Sequence, residues 1–160
     1  MSTDMAMTDT DPTDQNGPVL FAYDGSELAG FAIHQARGQL APGREAVILC
    51  VWQPADVGFV PISARPFDAD VAPEVRRAAE ETAAHGGALA ERAGFRAQSL
   101  AVEAAPTWRG IVDAAFDSAA TLIVVGSHRR GGLIGHLHGS LAGAVIAHAT
   151  CAVMVVGPAK

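Results

Sequence analysis

Short apolar runs alternate along this chain with longer stretches whose apolar positions recur at helical spacing, and that alternation predicts the architecture. Val19 to Tyr23 reads as a first strand, closed by Asp24-Gly25-Ser26, with Ser26 placed to cap a helix reaching about Leu40. Leu28, Phe31 and Ala32 share one face of that helix, and Pro42-Gly43 stops it. Ala46 to Trp52 is a continuous apolar run, the form taken by a parallel strand covered on both sides. The stretch from Gln53 to about Ala72 is irregular, with Pro54, Pro61 and Pro66, yet it keeps Val57, Phe59, Val60 and Ile62; it reads as a cover over a site or partner surface, or as a simple surface linker. A helix opens at Pro73 and closes at Gly94, carrying Val75, Ala79, Thr82, Gly86, Leu89 and Ala93 at helical spacing. Gly86-Gly87 weakens it, at about 1 kcal/mol per glycine relative to alanine.

Phe95 to Val102 predicts a third strand, at the sheet edge because Arg96, Gln98 and Ser99 interrupt it. Thr107 is placed to cap a helix with Trp108, Ile111, Val112 and Ala115 inward. Thr121 to Val125 is a fourth strand, Ser140 to His148 a fourth helix, and Ala152 to Val156 a fifth strand. Strand and helix alternate throughout, so the predicted fold class is α/β: a three-layer open five-stranded parallel sheet, Rossmann-like, with helices on both faces and right-handed crossovers.

Composition narrows the class further. A length of 160 residues suits one domain, and 49% hydrophobic residues with a mean hydropathy of +0.22 suit a full core. The formal charge is −6, but Asp4, Asp9, Asp11 and Asp14 crowd the first segment and the remainder is close to neutral. No nucleic-acid surface is expected, since that requires a basic patch to displace counterions. Residues 1–16 are polar and acidic, without a basic start or an apolar core, so they read as a disordered tail ahead of a domain spanning 17–158 and not as a signal or transit peptide. Leu141 to Val156 is too short and too polar, with His148, Thr150 and Cys151, to span a membrane. Cys50 and Cys151 fit free core thiols on strands in a reducing cytoplasm.

The candidate chemistry lies after the fourth strand. Gly126, Gly131, Gly132, Gly135 and Gly139 form a loop through which a backbone can approach an oxyanion closely, and Ser140 stands where a helix N-cap leaves free N–H groups. Arg129 and Arg130 add a local positive spot. In open α/β sheets ligands sit beyond the carboxyl ends of the strands, where strand order reverses; if the first and fourth strands are neighbours, Asp24 and Gly126 flank one crevice. Other chemistries find less support. No G-x-x-x-x-G-K-[ST] is present, Lys160 is the sole lysine, and no G-x-S-x-G elbow occurs. His136 and His138, with His128 and His148, lack a Cys or carboxylate cluster to complete a zinc site, and Ser127-His128 lacks an orienting acid for hydrolysis.

Asp24-Gly25-Ser26, Val124-Val125-Gly126-Ser127, Gly139-Ser140-Leu141 and the closing Cys151 to Val156 together resemble the universal stress protein family, over roughly Pro18 to Gly157. Its nucleotide-binding members carry a glycine, two residues, a second glycine, nine residues, then Gly followed by Ser or Thr. On this chain those positions are Gly126, Arg129, Gly139 and Ser140, so the spacing is kept while Arg129 replaces the middle glycine. The resemblance implies that Gly126, Arg129, Gly139, Ser140 and Leu141 surround phosphates, that Asp24 lies near the ribose or adenine, and that the backbone of Ala22, Tyr23 and Val51 lines the base pocket. It further implies ATP or another adenine nucleotide as ligand, with any Mg²⁺ held by phosphates and water, little or no hydrolysis, a regulatory or stress-response role, and a homodimer through the last strand. Arg129 leaves two outcomes open: its guanidinium contacts phosphate, or its bulk removes the ligand and leaves a dimeric interaction module.

Overall fold

The computed structural model describes residues 16–53, 72–127 and 140–158. In chain order these form β1 (Val19–Ala22), α1 (Glu27–Arg37), β2 (Glu45–Trp52), α2 (Ala72–Arg92), β3 (Arg96–Glu103), α3 (Thr107–Asp117), β4 (Leu122–Gly126), α4 (Leu141–His148) and β5 (Ala152–Val156). The strands pair in the order β3-β2-β1-β4-β5, all parallel. The expected five-stranded parallel α/β sheet is therefore the fold. Strand order reverses between β1 and β4, where Val19 pairs with Leu122 and Phe21 with Val124.

Alternation of side chains along the strands feeds two cores. On one face Val19, Phe21 and Tyr23 pack with Ala29, Ala32 and Ile33 of α1 and Ala90 of α2. On the other, Leu20, Leu49, Ile123 and Val125 pack with Ile111 and Ala115 of α3 and Val145 of α4. Trp108 and His148 stack at 4.0 Å between ring centroids and tie α3 to α4. β3 is an edge strand as its polar interruptions indicate, with Arg96, Ser99 and Leu100 exposed.

Several local expectations are corrected. Thr107 does not cap α3: the N-cap is Pro106, which makes no side-chain cap bond, and Thr107 is the first helical residue, its Oγ1 accepting from Gln53 Nε2 at 3.4 Å. α1 stops at Arg37, three residues short of Leu40, because the N–H of Gly38 already turns back to the carbonyls of Gln35 and Ala36. The buried stripe of α2 is Ala79, Ala83, Gly86, Gly87 and Ala90, so its inner face is rotated from the one expected. Gly86 and Gly87 are there for space: a Cβ at Gly86 would stand 2.6 Å from Tyr23 Cδ1 and 2.7 Å from Ile48 Cγ2. Helix and sheet approach too closely there for any side chain. Cys50 is buried on β2, but Cys151 precedes β5 and is half-buried, not a core strand residue. No helix among the described residues is long and apolar enough to cross a membrane.

Candidate functional site

At the carboxyl edge of the sheet, across the β1/β4 reversal, a cleft of about 320 Å³ opens. Parallel strands deliver all their carboxyl ends to that edge, and each following helix starts there, so helix N-termini collect around one hollow. Ser26 caps α1 by accepting from Ala29 N at 3.2 Å, and Ser140 caps α4 by accepting from Gly143 N at 3.0 Å. Thr107 opens α3 on the opposite wall. The positive ends of three helices thus border the cleft, and its rim favours anions.

Asp24 leaves β1 at the mouth. Its Oδ1 accepts from Ser26 N at 2.9 Å, an Asx turn that needs Gly25 in the left-handed region at φ +83°. The turn aims an exposed carboxylate over the cleft and starts α1 in one stroke. Tyr23 faces two ways. Its backbone lines the cleft and its N–H donates to Leu49 O at 2.8 Å, while its side chain turns to the α1/α2 core and its hydroxyl meets His85 Nδ1 at 2.7 Å. Burial, and secondarily the charge of Asp24, raise the Tyr23 phenol above its ordinary value.

Of the residues singled out from sequence, Ala22, Tyr23, Asp24, Val51, Gly126, Ser140 and Leu141 all border this cleft. Arg129 and Gly139 lie outside the described residues, as do the loop glycines between them, Arg130, His128, His136 and His138, and the irregular segment 54–71. Gly126 serves packing as well as access, since a Cβ there would stand 2.9 Å from Leu28 Cγ. Absence of that carbon lets α1 sit against the end of β4. Among residues not foreseen at the cleft, Thr107 and Ile111 supply the α3 wall and Ser127 continues the β4 edge, its N–H donating to Val156 O at 2.8 Å. The sequence signal for α3 was available: a crossover helix following a parallel strand must start at the same edge as Ser26 and Ser140. The cleft is apolar toward Leu49, Val51 and Ile111 and polar toward Asp24, Ser127 and Ser140. That division suits a flat apolar ring joined to a polyanion. Among the described residues no group of three or more His, Cys, Asp or Glu could hold a metal ion.

Comparison with known proteins bears on the family and the fold. Residues 16–157 match the universal stress protein family. Among solved structures, the hypothetical protein MJ0577 superposes with a TM-score of 0.70 at 23% identity, over 91% of this chain and 98% of that one. A universal stress protein in complex with cAMP gives 0.61 at 21% identity, over 88% of this chain and 96% of its own. An Arabidopsis thaliana universal stress protein family protein with AMP bound gives 0.61 at 16% identity, over 90% and 93%. No curated protein matches the sequence closely enough to count as a relative.

Proposed function

Because the chain belongs to the universal stress protein family, we propose that it binds an adenine nucleotide, ATP in the first instance, and works as a regulatory or stress-response protein with little or no hydrolysis. The observation that carries this reading is the cleft at the strand-order reversal, apolar on the β2/α3 side and bordered by the Ser140 cap of α4 on the other. Adenine fits the Leu49, Val51 and Ile111 wall, where apolar area is removed from water. The ribose falls within reach of Asp24, whose Oδ1 is engaged by the turn and whose second oxygen accepts from a hydroxyl. The phosphates meet the first turn of α4, with Gly126, Gly139, Ser140 and Leu141 around them and Arg129 as a charge-assisted donor. Two relatives of the same fold carry cAMP and AMP. Any Mg²⁺ is held by phosphates and water, since the cleft offers Asp24 as its carboxylate.

We place the protein in the cytoplasm and expect a homodimer through β5, whose outer edge is unpaired among the described residues and where Val155 is 38% exposed. Calorimetric titration with ATP and AMP, preceded by mass analysis of the purified protein for retained nucleotide, tests the reading. Saturable heat is expected; a site of even about −4 kcal/mol is visible at millimolar ligand. No heat at that concentration would overturn the nucleotide reading and favour the alternative, a dimeric interaction module whose ligand site was lost through Arg129. Gly139→Val should abolish binding with the fold intact, because position 139 immediately precedes the Ser140 cap in sequence. Arg129→Gly reads the replaced glycine directly: weaker binding marks the guanidinium as a phosphate ligand, tighter binding marks it as an obstruction.

A further inference from the structure

A second groove runs between α1 and α2 and is separate from the nucleotide cleft. Arg37 ends α1 and Arg92 ends α2, and each helix leads into the start of the next strand, so the groove lies toward the amino edge of the sheet. Its volume is about 350 Å³; Ile33 and Leu89 form an apolar floor, and His34, Arg37 and Arg92 stand at its sides. The helices close its far end where Gly30 meets Leu89, a Cβ at Gly30 being 3.6 Å from Leu89 Cδ1.

Most described arginines have an acceptor. Arg76 and Arg77 hold Glu80 and Glu81 at 2.9 and 3.1 Å, Arg96 reaches Glu45 at 3.5 Å, and Arg109 lies 3.9 Å from Asp113. Arg44 donates to Gly17 O and Thr121 Oγ1. Arg37 and Arg92 have no such partner among the described residues, and both face the same groove. Arg37 is half-buried, its Nε lying 3.2 Å from where a Gly94 Cβ would stand, so the guanidinium rests on that turn. Glu91, the neighbouring acid, borders a different hollow with Phe95 and Arg96. Against a remainder of the chain that is close to neutral, this is a local concentration of positive charge.

We propose that this groove is a second ligand site, for a phosphoryl-type oxyanion. Two guanidinium forks offer bidentate donors to its oxygens, and His34 adds a ring N–H in either protonation state. The Ile33 and Leu89 floor accommodates an apolar group esterified to the phosphoryl. The inference is independent of the nucleotide reading and survives its failure.

Side-chain Nε–Hε signals of arginine, followed by NMR in the full chain at fixed ionic strength, test it with inorganic phosphate, phenyl phosphate and chloride as probes. For both phosphoryl probes, saturable shifts are expected at Arg37 and Arg92 and at the ring signals of His34, with dissociation constants on the order of 1 to 10 mM, and none at Arg76, Arg77, Arg96 or Arg109; chloride should give none at any of them. Tighter phenyl phosphate identifies a phosphate ester as the ligand, whereas equal affinities identify free phosphate; both uphold the site. Arg37→Gln with Arg92→Gln should abolish the response of His34, and Gly139→Val should leave the groove response unchanged. Shifts of equal size at Arg76 and Arg77, shifts that never saturate, or a His34 response that persists in the double variant would overturn the proposal. The first of these outcomes would leave Arg37 and Arg92 as complements to the helix C-terminal dipoles and nothing more.

Discussion

Tyr23 joins the two halves of the molecule at the level of one residue. Its backbone belongs to the cleft, its ring to the core beneath α2, and its hydroxyl to His85 across 62 positions of sequence. Since burial and Asp24 raise the phenol's pKa in the folded state, the neutral form is favoured there. The resulting stability is fully present below the unfolded value of about 10 and is lost as pH rises from there through the folded value. Denaturant titrations at rising alkaline pH should therefore show stability falling from about pH 10, and Tyr23→Phe should flatten that fall. At neutral pH the same variant should cost about 0.5 to 1.5 kcal/mol, the net worth of one hydrogen bond. Tyr23 is the only tyrosine, so the tyrosinate absorbance band reports its ionisation without interference from others. For Arg129 we propose phosphate contact over exclusion, since charge-assisted bonds of about 1.5 to 3 kcal/mol would offset a cost of about 1 to 2 kcal/mol if a left-handed backbone is required there, and the Arg129→Gly titration decides between the two.

Glycines in the helices set how closely helix approaches sheet and helix approaches helix. α2 carries Gly86 against Tyr23 and Ile48, and α1 carries Gly30 against Leu89 at ordinary contact distance. Both substitutions to alanine gain about 1 kcal/mol of helix propensity. They should nonetheless differ in sign. At Gly86 the new carbon would stand 2.6 Å from a buried ring and 2.7 Å from a fully buried isoleucine. Overpacking of that kind costs about 1 to 3 kcal/mol and would push α2 outward, lengthening the Tyr23 to His85 bond. At Gly30 the carbon adds contact without strain, so Gly30→Ala should stabilise by about 0.5 to 1 kcal/mol. Urea unfolding of the two variants decides the matter, and equal signs would refute the packing account. Helical periodicity in the sequence located α2 and a stripe that shares Ala79 and Gly86 with the buried one, but left that stripe rotated by part of a turn. The reason is physical: alanines and glycines differ little in hydropathy, so the buried face of an alanine-rich helix is chosen by how closely the sheet approaches. Thr107 shows the same limit, because a hydroxyl at a helix start is read as a cap until the preceding proline is seen to occupy that place.

For the molecule as a whole, strand order governs everything near the cleft. Reversal between β1 and β4 brings Asp24 and Gly126 to one crevice, although about a hundred residues separate them in the chain. The same order leaves β3 and β5 at the edges. β3 meets solvent with Arg96, Gln98 and Ser99, whereas β5 is Ala-Val-Met-Val-Val, and an apolar edge of that kind favours self-pairing. With Val155 at the proposed dimer seam, Val155→Arg should shift the protein from dimer to monomer in sedimentation velocity at micromolar concentration; an unchanged dimer would place the interface elsewhere. Five strands, four helices, their sequence, the edge character of β3 and the caps Ser26 and Ser140 were determined by sequence alone, because periodicity and capping are local and each residue carries its own signal. Only the tertiary structure decided which strands are neighbours, which face of α2 is buried, that Thr107 and Ile111 wall the cleft, and that Arg37 and Arg92 share a groove. Those are contacts between distant segments, chosen by fit and charge among many arrangements that the local pattern permits equally.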